Sequence, residues 1–471
     1  MRAEQALVPS FFPLSSRLGT YLSSTKMRNY LILTATFAFL LLTACDSFVG
    51  EVREPNDEVN VEELSTAADV DFLLTGVRAT WSDAYAFTSL SACLLSDQFR
   101  FGRNSDATFP TYRDLDNGLV GLDNNSVDAA QNFLGEYRRL ADDLVGAARN
   151  AEYGDDPPIT QDAALFEAHL HGAIARSLYA TYVGLNPREG GGVIAESEFI
   201  PSPAMYDSAR VKFEQAREFA STDRQNKFLA SAQARSALYA GTEYGSNTGG
   251  YGNALEAAAT LAQGGLKPGD EPVQLQFSIQ EENEWYNQAG PDRMQVVAQD
   301  GVLNPQVSTY EDPDAVRSFP EIVENNPDEA NRIPLAGVSE GAEYDVPDED
   351  AIEYAQAKYT SEESPINFLT WEENHLIRAE LEQRGFDAGD KSALELVNEV
   401  RSSFGLSDLS SVDLATIAQE RDRTLFTLGA RLVDQRRLDV VDWHLQDQIE
   451  GRATWQFLPI PQQERNANPN L

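Results

Sequence analysis

The stretch from Asp413 to Arg437 constrains the fold more than any other. Leu414, Ala418, Arg421, Leu425, Leu428 and Leu432 recur at alternating steps of four and three, which is one face of an α-helix. Ser411 and Asp413 stand just ahead as N-cap residues. The pattern predicts a single amphipathic helix across the stretch. Its unusual member is Arg421, which falls in line with the apolar stripe. A guanidinium buried there needs a carboxylate or carbonyl partner, because an uncompensated buried charge costs several kcal/mol. Glu420 and Asp434 are the carboxylates at hand. The expected role of Arg421 is structural, tying this helix to its neighbours, and not catalytic.

Further amphipathic patterns fill much of the chain. Residues 65–95, 129–151, 161–183, 203–221, 226–240, 253–262, 371–383 and 393–404 all read as helices. Ala230, Ala234 and Ala237, then Ala258, Ala259 and Ala262, place small residues on one face. Small faces let helices approach closely, as in helix-hairpin repeats. Between Lys267 and Asp350 the helical period fades and Pro, Gly, Asn and acidic residues rise. There Val273 to Ile279 alternates as a strand. The fold class is mainly α, a helical-repeat scaffold with a loop-rich, minor-β region.

The start of the chain has a different chemistry. Lys26-Met27-Arg28 precedes an apolar run from Tyr30 to Leu42, a secretory signal pattern too short for a typical spanning helix. The run ends Leu42-Thr43-Ala44-Cys45, which resembles the lipobox of bacterial lipoproteins. That resemblance implies cleavage before Cys45 and its acylation, which anchors a protein stably. The expected organisation is an upstream extension over 1–26, with Met27 the true start, a lipoprotein signal peptide over 27–45 and an acidic tether over 46–63. One domain follows over 64–471, its scaffold 64–266 and 351–471, its insert 267–350. Cys93 lies in an apolar stretch and is expected to be a small core residue, not a disulfide partner of Cys45.

Charge excludes several functions. The formal net charge is −39 over 471 residues, with none of the basic character of a nucleic-acid binder. Lys is scarce, and Arg supplies nearly all the positive charge. A dense acidic, Lys-poor surface is the habit of proteins from salt-loving organisms, where salt screens carboxylate repulsion. No P-loop, zinc motif or Gly-x-Ser-x-Gly is present, so no catalytic residue, cofactor or metal ligand is assigned and no enzyme is expected. His169 and His171, two apart on a helix, point to different sides. Glu372-Glu373 near His375 lacks the zincin spacing. Asp114, Asp116, Asn117, Gly118 and Asp123 lack the alternation and closing Glu of a calcium loop.

Several stretches together resemble one family. They are Glu420-Arg421, Leu425, Gly429, Arg431, Asp434 and Arg436-Arg437; Leu74-Thr75-Gly76 with Ser96-Asp97; Ala148-Arg149-Asn150; Asp314, Arg317 and Phe319; Glu373, Leu376, Ala379 and Glu380; Asn398, Arg401 and Gly405-Leu406; and the closing Phe457-Leu458-Pro459-Ile460-Pro461-Gln462 with Asn466 to Leu471. They resemble the signatures of the SusD/RagB family, although Thr424 and Leu428 stand where that family more often has Glu. The resemblance implies tetratricopeptide-like units and a lipid-anchored, surface-exposed outer-membrane protein. It also implies capture of a nutrient, usually a glycan, beside a SusC-type TonB-dependent transporter barrel. Aromatic rings stack on sugar faces while amides and carboxylates bond hydroxyls. Trp285, Tyr286 and Asn287, with Phe101 and Tyr112 from the aromatic loop at 96–121, are the expected ligand-binding residues. The alternative is an envelope lipoprotein that serves as a protein-binding assembly scaffold.

Overall fold

The computed structural model describes residues 64–102, 111–292, 294–302, 310–338 and 352–471. The segments expected to be the upstream extension, signal peptide and tether, with Cys45, lie outside the described residues. From Leu64 onward the chain is one compact unit, with fourteen α-helices among the described residues. They are α1 (Ala67–Leu95), α2 (Thr111–Asp116), α3 (Asn125–Asn150), α4 (Gln161–Tyr182), α5 (Ser202–Phe219), α6 (Asp223–Tyr244) and α7 (Ala254–Gln263). Then come α8 (Glu284–Ala289), α9 (Phe319–Asn325), α10 (Trp371–Gln383), α11 (Ala393–Ser403), α12 (Leu414–Thr424), α13 (Ala430–Arg437) and α14 (Gln462–Ala467).

Local chemistry sets the helix starts. Thr66 and Asp69 form a capping box on α1, as do Thr222 and Gln225 on α6 and Ser392 and Glu395 on α11, each satisfying orphan amides of the first turn. Successive helices pack in pairs: α3 on α4, α4 on α5, α6 on α7, and α10 on α11. The alanine faces meet as expected. Ala230, Ala234 and Ala237 of α6, and Ala258, Ala259 and Ala262 of α7, are all buried. Buried residues lie all round α4, including both histidines.

The region after Lys267 is built from short strand pairs. Val273–Leu275 runs antiparallel to Ile366–Leu369, and Phe99–Phe101 to Val296–Ala298. The strand expected over 273–279 stops at Leu275, where its partner strand ends at Ile366. A four-stranded sheet joins the C-terminal Leu458–Pro459 in parallel to Val183–Asn186, which continues through Glu189–Gly192 to Ile200–Pro201.

The helix expected from 413 to 437 is broken. Leu425 to Gly429 turns between α12 and α13, with Thr427 and Gly429 at positive φ of 75° and 71°. Tertiary partners take the backbone groups that a continuous helix would have used. Tyr85 donates to the Leu428 carbonyl at 3.0 Å, Lys358 to the Phe426 carbonyl at 2.8 Å, and the Thr427 amide donates to Gln98 at 3.0 Å. A Cβ at Gly429 would sit 3.2 Å from Ala92 Cβ and 3.3 Å from Ser89 Cα, so the turn fits against α1 only without a side chain.

Arg421 is fully buried and bonds Asp434 through Nε at 3.0 Å and Nη2 at 3.2 Å. Asp434 also holds Arg437, which reaches on to Glu380 of α10 at 2.7 Å. Burial alone would raise the Glu380 carboxyl, but Arg437 holds it down at about 2. Glu420 takes other partners: Arg332 at 2.7 Å and Arg401 at 2.6 Å. These pairs are bidentate or shared, the geometry in which a buried guanidinium recovers most of its lost hydration. They pin α10 to α13 together beside an apolar seam in which Leu376, Leu396, Val400 and Ile417 pack α10, α11 and α12.

Candidate functional site

The broken helix positions a cavity. One of about 830 Å³ opens between residues 310–322, the outer face of α12 and the loop 440–447 that follows α13. The isolated bridge between Tyr310 and Leu445 and the bond from the Glu311 amide to the His444 carbonyl, 3.0 Å, stitch the two loops together. Asp97, just past the end of α1, forms the cavity's inner wall. Its carboxylate accepts from Arg431 Nε at 2.7 Å and Nη2 at 3.0 Å, Arg317 Nη1 at 3.4 Å and Gln435 Nε2 at 3.2 Å. Burial would raise Asp97, but Arg431 and Arg317 beside it hold it far below the usual carboxylate range. Arg317 also pairs with Asp422, and its guanidinium lies 4.4 Å over the Phe319 ring.

Three rings make a corner in this cavity. Trp443 and His444 meet edge to face with centroids 4.9 Å apart, and Tyr310 meets His444 at 5.3 Å. The protonation of His444 follows from its neighbours. Gln435 Nε2 faces the Asp97 carboxylate, which fixes the amide orientation, since the carbonyl end would be repelled there. The same Nε2 lies 3.1 Å from His444 Nδ1, so Nδ1 accepts and the proton sits on Nε2. Burial lowers the imidazole to about 4, against the pull of Asp97. His444 is therefore neutral at physiological pH. Its Nε2–H has no hydrogen-bond partner among the described residues, and neither has the Trp443 indole Nε1–H. A buried donor left unmade costs about 1–3 kcal/mol. Both donor atoms are closed off from solvent, so the surface the cavity presents here is the aromatic corner itself.

The residues expected from sequence fall elsewhere. Trp285 is fully buried against Phe99 and Tyr359, and its indole donates to Ser89 Oγ at 2.9 Å. Phe101 and Tyr112 are buried as well, at 4% and 7% exposure, and Tyr112 donates to Glu284 at 3.0 Å. A ring with no open face has none to stack on a sugar, so these three serve the core in this structure. Tyr286 and Asn287 keep partial exposure on α8, where Asn287 donates to Glu282 at 2.8 Å. Neither lines the cavity. Periodicity and motif do not single out Trp443 and His444. The available signal was an aromatic pair, Trp443-His444, set among Asp439, Asp442 and Asp447.

The residues weighed for metal chemistry are engaged locally. Asp116 accepts from the Phe101 amide at 3.0 Å, and burial raises its carboxyl to about 7 despite that bond. His171 sits between Tyr137 at 2.8 Å and Glu167 at 3.3 Å. His375 Nδ1 lies on the Trp371 carbonyl at 3.1 Å, and its Nε2 lies 3.2 Å from Glu399. Cys93 is buried, donates to Gln98 at 3.1 Å and accepts from the Gly429 amide at 3.3 Å. No group of three or more metal-ligating side chains occurs among the described residues.

No protein-family model and no curated protein matches the chain in sequence. Solved structures do match in three dimensions. A SusD superfamily protein from Bacteroides vulgatus superposes with a TM-score of 0.60 at 16% identity, covering 86% of this chain and 98% of that one. Another, from Bacteroides thetaiotaomicron, gives 0.61 at 14% identity over the same shares. The fold is that of the SusD superfamily. A third match is surface glycan-binding protein A from Bacteroides thetaiotaomicron in complex with laminarihexaose, at 0.57 and 14% identity, again over 86% and 98%. At these identities the likeness speaks for the SusD architecture, and the ligand must be argued from this chain's own cavity. In that architecture the motifs resembling the family fall on structural joints. Arg421, Asp434, Arg437 and Glu380 form one buried network, and Asn468 of the closing segment donates to the Ser197 carbonyl at 2.9 Å.

Proposed function

We propose that this protein is a lipid-anchored outer-membrane subunit that captures a glycan and delivers it to a TonB-dependent transporter barrel. The observation that carries the binding reading is the Trp443–His444–Tyr310 corner that lines the cavity. Sugars present apolar ring faces and a periphery of hydroxyls; the rings match the faces, and polar lining side chains such as Gln419 match the hydroxyls. The volume, about 830 Å³, is within the range that holds a small ligand. Solved structures of a surface glycan-binding protein with laminarihexaose and of a laminarin-binding SusD-like protein support the same reading, binding in place of catalysis. The lipobox-like Leu42 to Cys45 supports the anchor, and the SusD fold supports the transporter partner.

The test is direct. Protein truncated at Asp46 is run through native gels cast with plant, algal and microbial polysaccharides. Retardation by at least one polymer, lost in Trp443→Ala with an unchanged circular dichroism spectrum, is the expected result. Retardation by none, or retardation indifferent to Trp443→Ala, refutes this site. Growth on that polymer should fail when the gene is deleted and return only with a copy that retains Cys45.

A further inference from the structure

We infer that the cavity takes a neutral, hydroxyl-rich oligosaccharide and turns away polymers bearing uronate or sulfate groups. The inference rests on the glycan reading and adds the charge class of the ligand. Three guanidinium groups line the cavity, and each is already matched by an internal carboxylate. Arg431 and Arg317 share Asp97, Arg317 also holds Asp422, and Arg423 lies 2.9 Å from Glu329. An anion approaching Arg431 or Arg317 would compete with Asp97 and with the almost wholly buried Asp422, and Arg423, held by a single bond, is the one of the three less fully engaged.

The rim adds only negative charge. Glu311, Asp312, Asp442 and Asp447 line the opening and are exposed. Asp447 has Arg188 at 3.0 Å, but that pair is open to solvent and weak. The other three have no cation within ion-pair distance among the described residues. A ligand carboxylate or sulfate at the mouth therefore meets like charges, whose repulsion is felt within a screening length of roughly 10 Å at 0.1 M salt. The aromatic corner, by contrast, carries no charge and suits the apolar face of a sugar ring. Sites recognising carboxylate or sulfate draw on guanidinium forks free to bind in two-pronged fashion. Here the forks of Arg431 and Arg317 are engaged by Asp97 and Asp422.

The experiment uses the same native gels at 20 mM and 1 M NaCl, with neutral and anionic polysaccharides. It compares the parent protein with the combined variant Glu311→Gln, Asp312→Asn, Asp442→Asn and Asp447→Asn. Asn at 312 can still cap the short turn that Asp312 now caps through the Asp314 amide. At 20 mM, neutral polymers should bind at least tenfold more tightly than any anionic one. The gap should narrow at least threefold in 1 M salt and in the amide variant. An anionic polymer bound as tightly as the best neutral one overturns the inference and leaves the glycan reading standing. A gap unmoved by both salt and the amide variant overturns its electrostatic basis. Binding to no polymer refutes the glycan reading and the inference with it.

Discussion

Replacing Asp97 by Asn tests the framework of the cavity and its stability together. Asp97 is 7% exposed and takes four hydrogen bonds from three side chains, Arg431, Arg317 and Gln435. Asn keeps the shape but removes the charge, leaving Arg431 without its carboxylate while Arg317 retains Asp422. Removing one partner of a buried pair costs about 3–5 kcal/mol. Both arginines are partly solvated, at 15% and 17% side-chain exposure, so about 3 kcal/mol is the expected loss. The unit from Leu64 to Leu471 unfolds with an entropy of roughly 0.9 kcal/mol/K at about 2.1 cal/mol/K per residue. The melting midpoint should therefore fall by about 3 °C. Because its folded pKa is depressed, Asp97 contributes stability that is present above about pH 4 and is lost as pH falls through its folded value. The gap between parent and variant should accordingly stay wide down to about pH 4 and only begin to narrow below it. Scanning calorimetry at fixed scan rate, at pH 7 and about pH 4.5, reads both quantities. A drop below about 1 °C at pH 7, or a gap already closed at about pH 4.5, refutes the argument. A cycle with Arg431→Met should show coupling above about 1 kcal/mol.

Nitrogen NMR of His444 should report Nε2–H, neutral, with no titration above about pH 5, since burial lowers the imidazole to about 4; an imidazolium at pH 6 contradicts the Gln435 assignment. His169 and His375 are also lowered to about 4 by burial. Below about pH 6.5 the unfolded chain thus binds protons that the folded one refuses, so stability should fall from there to about pH 4, as read by urea midpoints. Gly429→Ala should cost roughly 1–3 kcal/mol, because φ is positive and the methyl would press on α1; a change below 0.5 kcal/mol by urea unfolding would contradict that geometry. With 75 acidic against 36 basic side chains, the folded protein should gain stability between 0.1 and 2 M KCl as surface repulsion is screened; a melting midpoint that stays level or falls counts against it.

The helical scaffold was legible because its signals are local. The N-cap at Asp413 and the alanine faces of α6 and α7 act within a few turns, and the structure keeps them. The break at Leu425 to Gly429 was not legible, because the periodicity runs straight through it. What ends α12 is distant: Tyr85, Gln98 and Lys358 claim the turn's backbone groups. Trp285 illustrates the same limit. A Trp-Tyr pair in a polar loop reads as a binding surface, yet Ser89, 196 residues away, gives its indole a partner and closes it into the core. Aromatic residues fill cores and binding sites with equal chemical ease, and only the surroundings of the ring tell them apart. Trp285, with its indole bonded and its ring closed in, belongs to the scaffold, whereas Trp443 lines the cavity.

The use of Arg follows from the same accounting. Lys occurs at only six positions, and Arg supplies the remaining positive charge. Where a cation enters the interior here it bonds two or more acceptors at once: Arg421, Arg437, Arg332 and Arg100 are each at most 2% exposed in their side chains. A planar fork can satisfy several carboxylate oxygens in one geometry, whereas an ammonium presents a single compact, strongly hydrated charge. The acidic exterior reflects the excess of 75 acidic over 36 basic side chains, and the burial of Arg421, Arg437, Arg332 and Arg100 deepens it. The mouth of the cavity is accordingly lined by carboxylates on its rim and by aromatic rings within. Scaffold and ligand wall share residues, so a substitution that frees an arginine for an anionic sugar also removes a strut from the fold.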